Sequence, residues 1–279
     1  MSPANIRTDP PGFLESLKEV VRHVPVLGRT AQRLSRLLPR APFPGSAGYW
    51  ERRYAHGGTS GSGSYGKLAE FKAEVLNQFI RDHQIRSVIE FGCGDGNQLS
   101  LADYPQYIGL DVSRSAIIRC QSRFLADTRK SFFLYEPRSF LDNVRAFSAE
   151  AALSIDVLFH VVEDDVFEMY MSHLFGAAER YVIIYSSDID LPTWSPHERH
   201  RLFTSWIASK APEWKLLERI PNRYPYADDD NGSASDFYIY YRPSGHRLWS
   251  DRHGRRKVNC DSESGSLQNL PHKSSVTQR

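Results

Sequence analysis

No stretch of the 279-residue chain approaches the ~18 apolar residues of a membrane-spanning helix, which argues against an integral membrane protein. Cysteine is scarce. Cys93, Cys120 and Cys260 are odd in number, far apart and form no C-x-x-C pair. That excludes a disulfide framework and leaves no zinc-ligand spacing among the cysteines. The opening residues, MSPANIRTDPPG, lack the basic-then-apolar run of a secretory leader, so a cytoplasmic address is expected. No internal repeat is present. Nor is there an excess of either charge, since 35 Lys and Arg face 33 Asp and Glu.

That near-neutral sum hides a division. Residues 1–46 carry seven basic against three acidic side chains, and so do residues 244–279. Residues 47–243 carry 21 against 27, so an acidic centre sits between two basic ends. An acidic centre argues against a nucleic-acid groove in the core, and no specific nucleic-acid partner is expected. Residues 1–46 read as a basic amphipathic helical arm and linker. Phe13, Leu14, Leu17, Val20 and Val21 form one stripe, and Arg29, Arg33, Arg36 and Arg40 interleave a second. Such an arm, over 13–40, can pack on the domain or lie on the inner face of an anionic membrane. Residues 244–279 show no period and read as a basic disordered tail.

Between these ends the pattern alternates. Strands are expected at 87–91, 107–111, 131–135, 152–159, 181–186, 214–220 and 236–241. Helices are expected at 67–81, 113–124, 164–175 and 197–209, with short or weak ones at 95–102 and 139–147. Ser113 is placed to cap its helix. Strands separated by helices imply an α/β fold: a doubly wound, mostly parallel, seven-stranded sheet with helices on both faces and the last strand antiparallel. The HGGTSGSGSYG segment at 56–66 reads as a hinge, a lid or an anion-friendly loop ahead of a helix.

The chemistry concentrates at strand ends. The first strand runs Val88-Ile89-Glu90-Phe91 into Gly92-Cys93-Gly94-Asp95-Gly96. These glycines permit a sharp turn and close approach of a ligand. A dinucleotide fingerprint, G-x-G-x-x-G/A, fails because its last position holds Asn97. Asp111 ends the second strand, where a carboxylate accepts ribose hydroxyls; its spacing supports a nucleoside without choosing the cofactor.

The early acid Glu90, followed by G-x-G-x-G, resembles the first motif of class I S-adenosylmethionine-dependent methyltransferases, a Rossmann-like family. The resemblance implies the cofactor S-adenosyl-L-methionine, with Gly92, Gly94 and Gly96 beside its methionine and ribose portions. Asp156-Val157-Leu158-Phe159-His160 resembles the D-V-L-E-H segment of many small-molecule members, with Phe159 replacing the glutamate. It implies Asp156 at the cofactor's amino group and His160 as the base for an acceptor hydroxyl, with Asp164 or Glu163 as alternatives. Glu136 is the acid nearest the place where the family binds the adenine amino group, and Phe140 can flank the ring. The N/D-P-P-Y/F tetrad of base amino-methylation and a cysteine nucleophile for pyrimidine carbon methylation are both absent. The scheme needs no metal.

Longer stretches, 49–77, 91–113, 153–175 and 181–187, resemble a bacterial group often associated with surface-polysaccharide genes. In that group the Gly-Ser loop with Tyr65 closes over the cofactor. Arg199, His200, Arg201, Trp206, Tyr224 and Tyr226 fall where this fold builds its acceptor pocket. The function implied is in-line methyl transfer to a small-molecule or glycan acceptor at a hydroxyl. The other readings are a protein or RNA methyltransferase using the basic arms, and a non-catalytic module that regulates a polysaccharide-assembly partner.

Overall fold

An apolar strand has two faces to cover, and amphipathic crossovers supply the cover. The computed structural model describes residues 43–243 apart from 192, 194 and 227–231. The arm over 13–40 with its membrane contact, and the tail over 244–279, lie outside the described residues.

The elements in order are α1 (Gly45–Ala55), α2 (Gly66–Asp82), β1 (Val88–Phe91), β2 (Tyr107–Asp111), α3 (Arg114–Arg123), β3 (Lys130–Leu134), β4 (Ala149–Ile155), α4 (Asp164–Ala177), β5 (Ala178–Ser186), α5 (Phe203–Lys210), β6 (Lys215–Ile220) and β7 (Asp236–Tyr241). One seven-stranded sheet has the order β3-β2-β1-β4-β5-β7-β6. β1 to β5 are mutually parallel, and β7 runs antiparallel between β5 and β6. The expected sheet is the observed one.

Successive strand residues face opposite sides, so each strand feeds two cores. On one face Phe71, Leu76 and Phe79 of α2 pack with Val88, Ile117, Leu153 and Ile183. On the other, Phe167, Met171 and Leu174 of α4 and Phe203 of α5 pack with Ile89, Phe91, Val182 and Ile184. The strand order reverses between β1 and β4, which opens a crevice at their carboxyl ends.

Three local expectations change. Residues 139–147 form turns, not a helix. The Asp142 carboxylate accepts the backbone N–H of Ala146 (2.8 Å) and Phe147 (2.8 Å), a local bond that competes with helix. The helix expected from 197 begins only at Phe203, because the preceding backbone is tied across to Phe159 by the Arg199 N–H (2.7 Å). Finally α1 occupies residues read in part as linker. Pro44, within that expected linker, stands at the helix start.

Among the contacts that dock α1, one side chain reaches the start of α3. The Glu51 carboxylate accepts from Ser113 Oγ (2.7 Å), Ser115 N (3.1 Å) and Ser115 Oγ (2.7 Å) at the positive end of α3. Ser113 Oγ in turn accepts from Ala116 N (3.1 Å), the expected cap. Glu51→Ala should lower stability by about 1–3 kcal/mol in urea unfolding, since charge-assisted bonds at a helix terminus are lost. An unchanged midpoint would show that α1 is held by other contacts.

Candidate functional site

β1 delivers the chain into a turn whose backbone is left-handed at Gly92 (φ 88°) and Gly94 (φ 57°). A Cβ at Gly92 would sit 2.4 Å from Val157 Cγ2, and one at Gly94 would sit 2.4 Å from Ser60 Oγ. Close packing and backbone conformation thus both require glycine there. Asp111, at the end of β2, holds this turn. Its carboxylate accepts from Gly94 N (2.9 Å) and from Ser113 N (2.8 Å). Burial still dominates, pushing the Asp111 carboxyl up to about 6. Glu90 is also buried and accepts from Tyr107 Oη (2.6 Å). Its carboxyl is pushed up to about 7 by desolvation.

A cavity of about 1080 Å³ of empty space, counting its open mouth, lies over these strand ends. Its wall includes Gly92, Gly94, Glu90, Asp111, Glu136, Asp156 and Glu163, with Arg138, Trp50, Tyr54, Tyr135, His160 and Tyr170. Five carboxylates therefore face one guanidinium. Gly96 lies outside this wall, beneath Phe124 and Cys120. Phe140 does too, packed edge-on against Tyr135 at 5.2 Å.

The Gly-Ser loop is fastened to the glycine turn through Asp95. The Asp95 carboxylate accepts from Ser60 N (3.0 Å) and Tyr65 Oη (2.8 Å), and Asp95 N donates to Ser60 Oγ (3.0 Å). Asn97 Nδ2 donates to Ser64 O (2.8 Å). Burial alone would raise the Asp95 carboxyl; these bonds reverse that and hold it below its ordinary range. Ser60 and Ser64 line the cavity, while Tyr65 stands behind it as part of the fastening. Asn97, which broke the dinucleotide pattern, is itself one of the loop's anchors.

Asp156 takes the left-handed conformation (φ 57°) just past β4. Its Oδ2 meets Lys72 Nζ at 2.5 Å. Lys72 is wholly buried, with its ammonium 5.3 Å from the centre of the Tyr185 ring. Sequence reasoning missed Lys72. The signal was there: Leu68, Lys72 and Leu76 share the inward stripe of α2, so a lysine sits at a core position.

His160 closes a short 3-10 turn after β4. Its Nδ1 lies 3.1 Å from the His197 carbonyl, which can only accept, so Nδ1 carries the proton and Nε2 the free lone pair. Burial holds its imidazole below the ordinary range, against the raising effect of that carbonyl. Trp50 of α1 meets the ring edge-on at 4.9 Å.

The structure does not bring Asp164 to the cavity. It sits exposed in the first turn of α4, paired with Arg199 (2.9 Å) and Arg201 (3.1 Å), whose bonds hold its carboxyl low. That makes it a poor general base. Glu163 does line the cavity, but its carboxylate accepts from Ser46 N (2.9 Å) and Ser46 Oγ (2.7 Å). Of the residues expected around the acceptor, Arg199, His200, Arg201, Trp206, Tyr224 and Tyr226 are all absent from the wall. Arg201 binds the carbonyls of Val161 (2.5 Å) and Val162 (2.8 Å), and His200 Nδ1 lies 2.5 Å from Ser187 Oγ. They brace the rim. Trp50, Tyr54 and Ser46, from the unexpected α1 and its neighbourhood, line the cavity instead.

No protein-family model matches the chain, and no curated protein does. Solved structures do. The N-methyltransferase NodS from Bradyrhizobium japonicum WM9, in complex with S-adenosyl-L-homocysteine, is 15% identical with a TM-score of 0.57, over 71% of this chain and 98% of that one. The methyltransferase domain of bacterial CtHen1-C is 22% identical with a TM-score of 0.50, over 63% of this chain and 99% of that one. The small RNA methyltransferase HEN1 is 19% identical with a TM-score of 0.51, over 65% of this chain and 26% of that one. The chain has the fold of these methyltransferases.

Two outcomes follow from the geometry. Tyr65→Phe removes one bond to Asp95, so amide exchange over 57–65 should accelerate about fivefold or more while global stability changes little. Exchange equal to wild type would show that the loop is not held through Asp95. Glu90 has a raised carboxyl, so the folded state binds its proton more tightly than the unfolded chain. Its contribution is present below pH ~4.5 and is lost as pH rises through about 7, on the order of 3 kcal/mol. Urea midpoints of wild type should therefore fall between pH 5 and 8 by more than those of Glu90→Gln.

Proposed function

We propose that this chain is an S-adenosylmethionine-dependent methyltransferase acting on a hydroxyl of a small-molecule or glycan acceptor. One observation carries the reading: the cavity at the carboxyl ends of β1, β2 and β4 is lined by five carboxylates, of which Asp156 is paired with Lys72, and a single guanidinium. Such a wall suits a ligand bearing positive charge, as this cofactor does on its sulfonium and ammonium groups. It opposes a dinucleotide, whose pyrophosphate brings two negative charges. The fit is also steric, because Gly92 and Gly94 expose bare backbone beside Asp111.

In this reading Asp111 receives the ribose hydroxyls, Glu136 faces the adenine, and Glu90 and Asp156 border the amino-acid portion. Bound there, the cofactor supplies a methyl group on an excellent leaving group. The protein's share is then mainly alignment. The loop fastened by Asp95 excludes water from one side, and Trp50 with His160 forms the wall that the acceptor meets. The free Nε2 of His160 is the group available to an acceptor oxygen. A hydroxyl acceptor is favoured over an amine because this nitrogen can take up its proton. NodS is an N-methyltransferase and HEN1 a small RNA methyltransferase, so the shared fold serves unlike acceptors.

Calorimetry with S-adenosylhomocysteine tests this directly. Wild type should bind it at micromolar Kd and NAD⁺ far more weakly, and Asp111→Ala should weaken the former about tenfold or more. No binding, or preference for NAD⁺, would remove the proposal. Since burial raises Asp111 to about 6 and Glu90 to about 7, a cationic ligand must displace those protons. Affinity for S-adenosylmethionine should therefore strengthen as pH rises from 5.5 to 7.5. A flat profile would show that neither acid faces its charge.

A further inference from the structure

Charge is not spread evenly over the acidic centre of this chain. Residues 47–243 carry 21 basic against 27 acidic side chains, yet two stretches reverse the sign. Residues 45–67, which hold α1 and the Gly-Ser loop, contain Arg52, Arg53 and Lys67, with Glu51 as their sole acid. Residues 113–126, which hold α3, contain Arg114, Arg119 and Arg123 and no acid.

Tertiary structure joins the two stretches. Glu51 is taken up by the hydroxyls of Ser113 and Ser115 at the start of α3. Arg119 of α3 donates to Gly58 O (2.7 Å) and to the Tyr54 carbonyl. Arg53 donates through Nε to Thr59 O (2.6 Å). Arg123 reaches Asn97 Oδ1 (3.4 Å), and Asn97 is the residue that anchors Ser64. α1, the Gly-Ser loop and α3 therefore share one face.

Carbonyl and amide oxygens orient a guanidinium without cancelling its charge. Elsewhere the fold does cancel it: Arg138, Arg180, Arg219 and Arg223 each meet a carboxylate. Among the described residues, no ion pair involves Arg52, Arg53, Arg114, Arg119 or Arg123. Arg52, Arg114 and Arg123 are exposed. The outward side of α3 is apolar as well. Ile118, one turn after Arg114, is 52% exposed, and Leu125, just past the helix, is 85% exposed.

We propose that the face shared by α1, the Gly-Ser loop and α3 is a docking surface for a membrane bearing anionic lipid headgroups. Its guanidinium groups are drawn to the negative surface, and Ile118 and Leu125 supply side chains for the headgroup–acyl boundary. A nucleic acid would engage the arginines but leave both apolar side chains in water. The sequence leading into α1 has the same two properties. Residues 1–46 carry seven basic against three acidic side chains and an apolar stripe from Phe13 to Val21. The loop that accepts Arg53 and Arg119 at Thr59 and Gly58 borders the cavity through Ser60 and Ser64, so the docking face adjoins the cavity. This surface stands independently of the reaction carried out there.

The test is flotation of the full chain with phosphatidylcholine vesicles, with and without about one third phosphatidylglycerol. Wild type should float with the anionic vesicles and not with the neutral ones. Raising NaCl from roughly 0.1 to 0.5 M should weaken binding about tenfold or more. Arg52→Gln combined with Arg114→Gln should weaken it about tenfold, since each exposed arginine near the surface is worth roughly fivefold. Ile118→Ser combined with Leu125→Ser should weaken it about fivefold at low salt. Urea midpoints of both double variants should match wild type, which separates lost docking from lost folding. Failure to float, equal flotation with neutral and anionic vesicles, or anionic binding that either double variant retains in full overturns the proposal. Binding of a mixed-sequence RNA oligonucleotide that weakens with the arginines, in a chain that ignores vesicles, would assign the face to nucleic acid instead.

Discussion

The bond from Gly94 N to the Asp111 carboxylate joins the ends of β1 and β2, and the site is built outward from it. A side chain at Gly92 or Gly94 would collide with Val157 or Ser60, so the turn lies flat between β4's exit and the Gly-Ser loop. Asp95, next in the turn, then fastens that loop. One short peptide thereby sets the floor of the cavity, one of its walls and the position of its cover. Parallel strands make this possible, because their carboxyl ends all arrive on the same side.

Charge is the second organising factor. Carboxylates collected in one crevice repel one another, and burial adds to the cost of ionising them. The protein answers in three ways. Backbone N–H groups solvate Asp111, a tyrosine hydroxyl solvates Glu90, and a buried ammonium neutralises Asp156. Lys72 is tolerated at zero exposure because a carboxylate and the face of Tyr185 replace the water it lost. The residual negative field is what the proposed preference for a cationic ligand rests on.

Much of the fold was legible. Each of the seven strands fell within a few residues of its expected place, because apolar runs bounded by turn residues report burial directly. That Gly92, Gly94, Asp111, Glu136, Asp156 and His160 would gather at strand ends was legible as well, since strand ends can be read from periodicity, and these six do line the cavity. Failures occurred where the information is non-local. Residues 139–147 have helical composition, but the Asp142 side chain captures the backbone. α1 has little apolar character of its own and gains its place from distant partners, Glu51 against α3 and Ser46 against Glu163. Arg199, His200 and Arg201 looked like acceptor contacts, yet they brace carbonyls and a serine at the rim.

By itself the sequence determined the doubly wound sheet, its antiparallel last strand and the acid-glycine turn, because hydrophobic period and glycine placement act over a few residues. Tertiary structure alone decided which charged groups meet. It sent Asp164 to two arginines and away from the cavity, set Lys72 beneath Asp156, and brought His197 beside His160. Those encounters depend on segments tens of residues apart arriving at one strand end. No local pattern encodes that arrival; packing of two helical layers on one twisted sheet does.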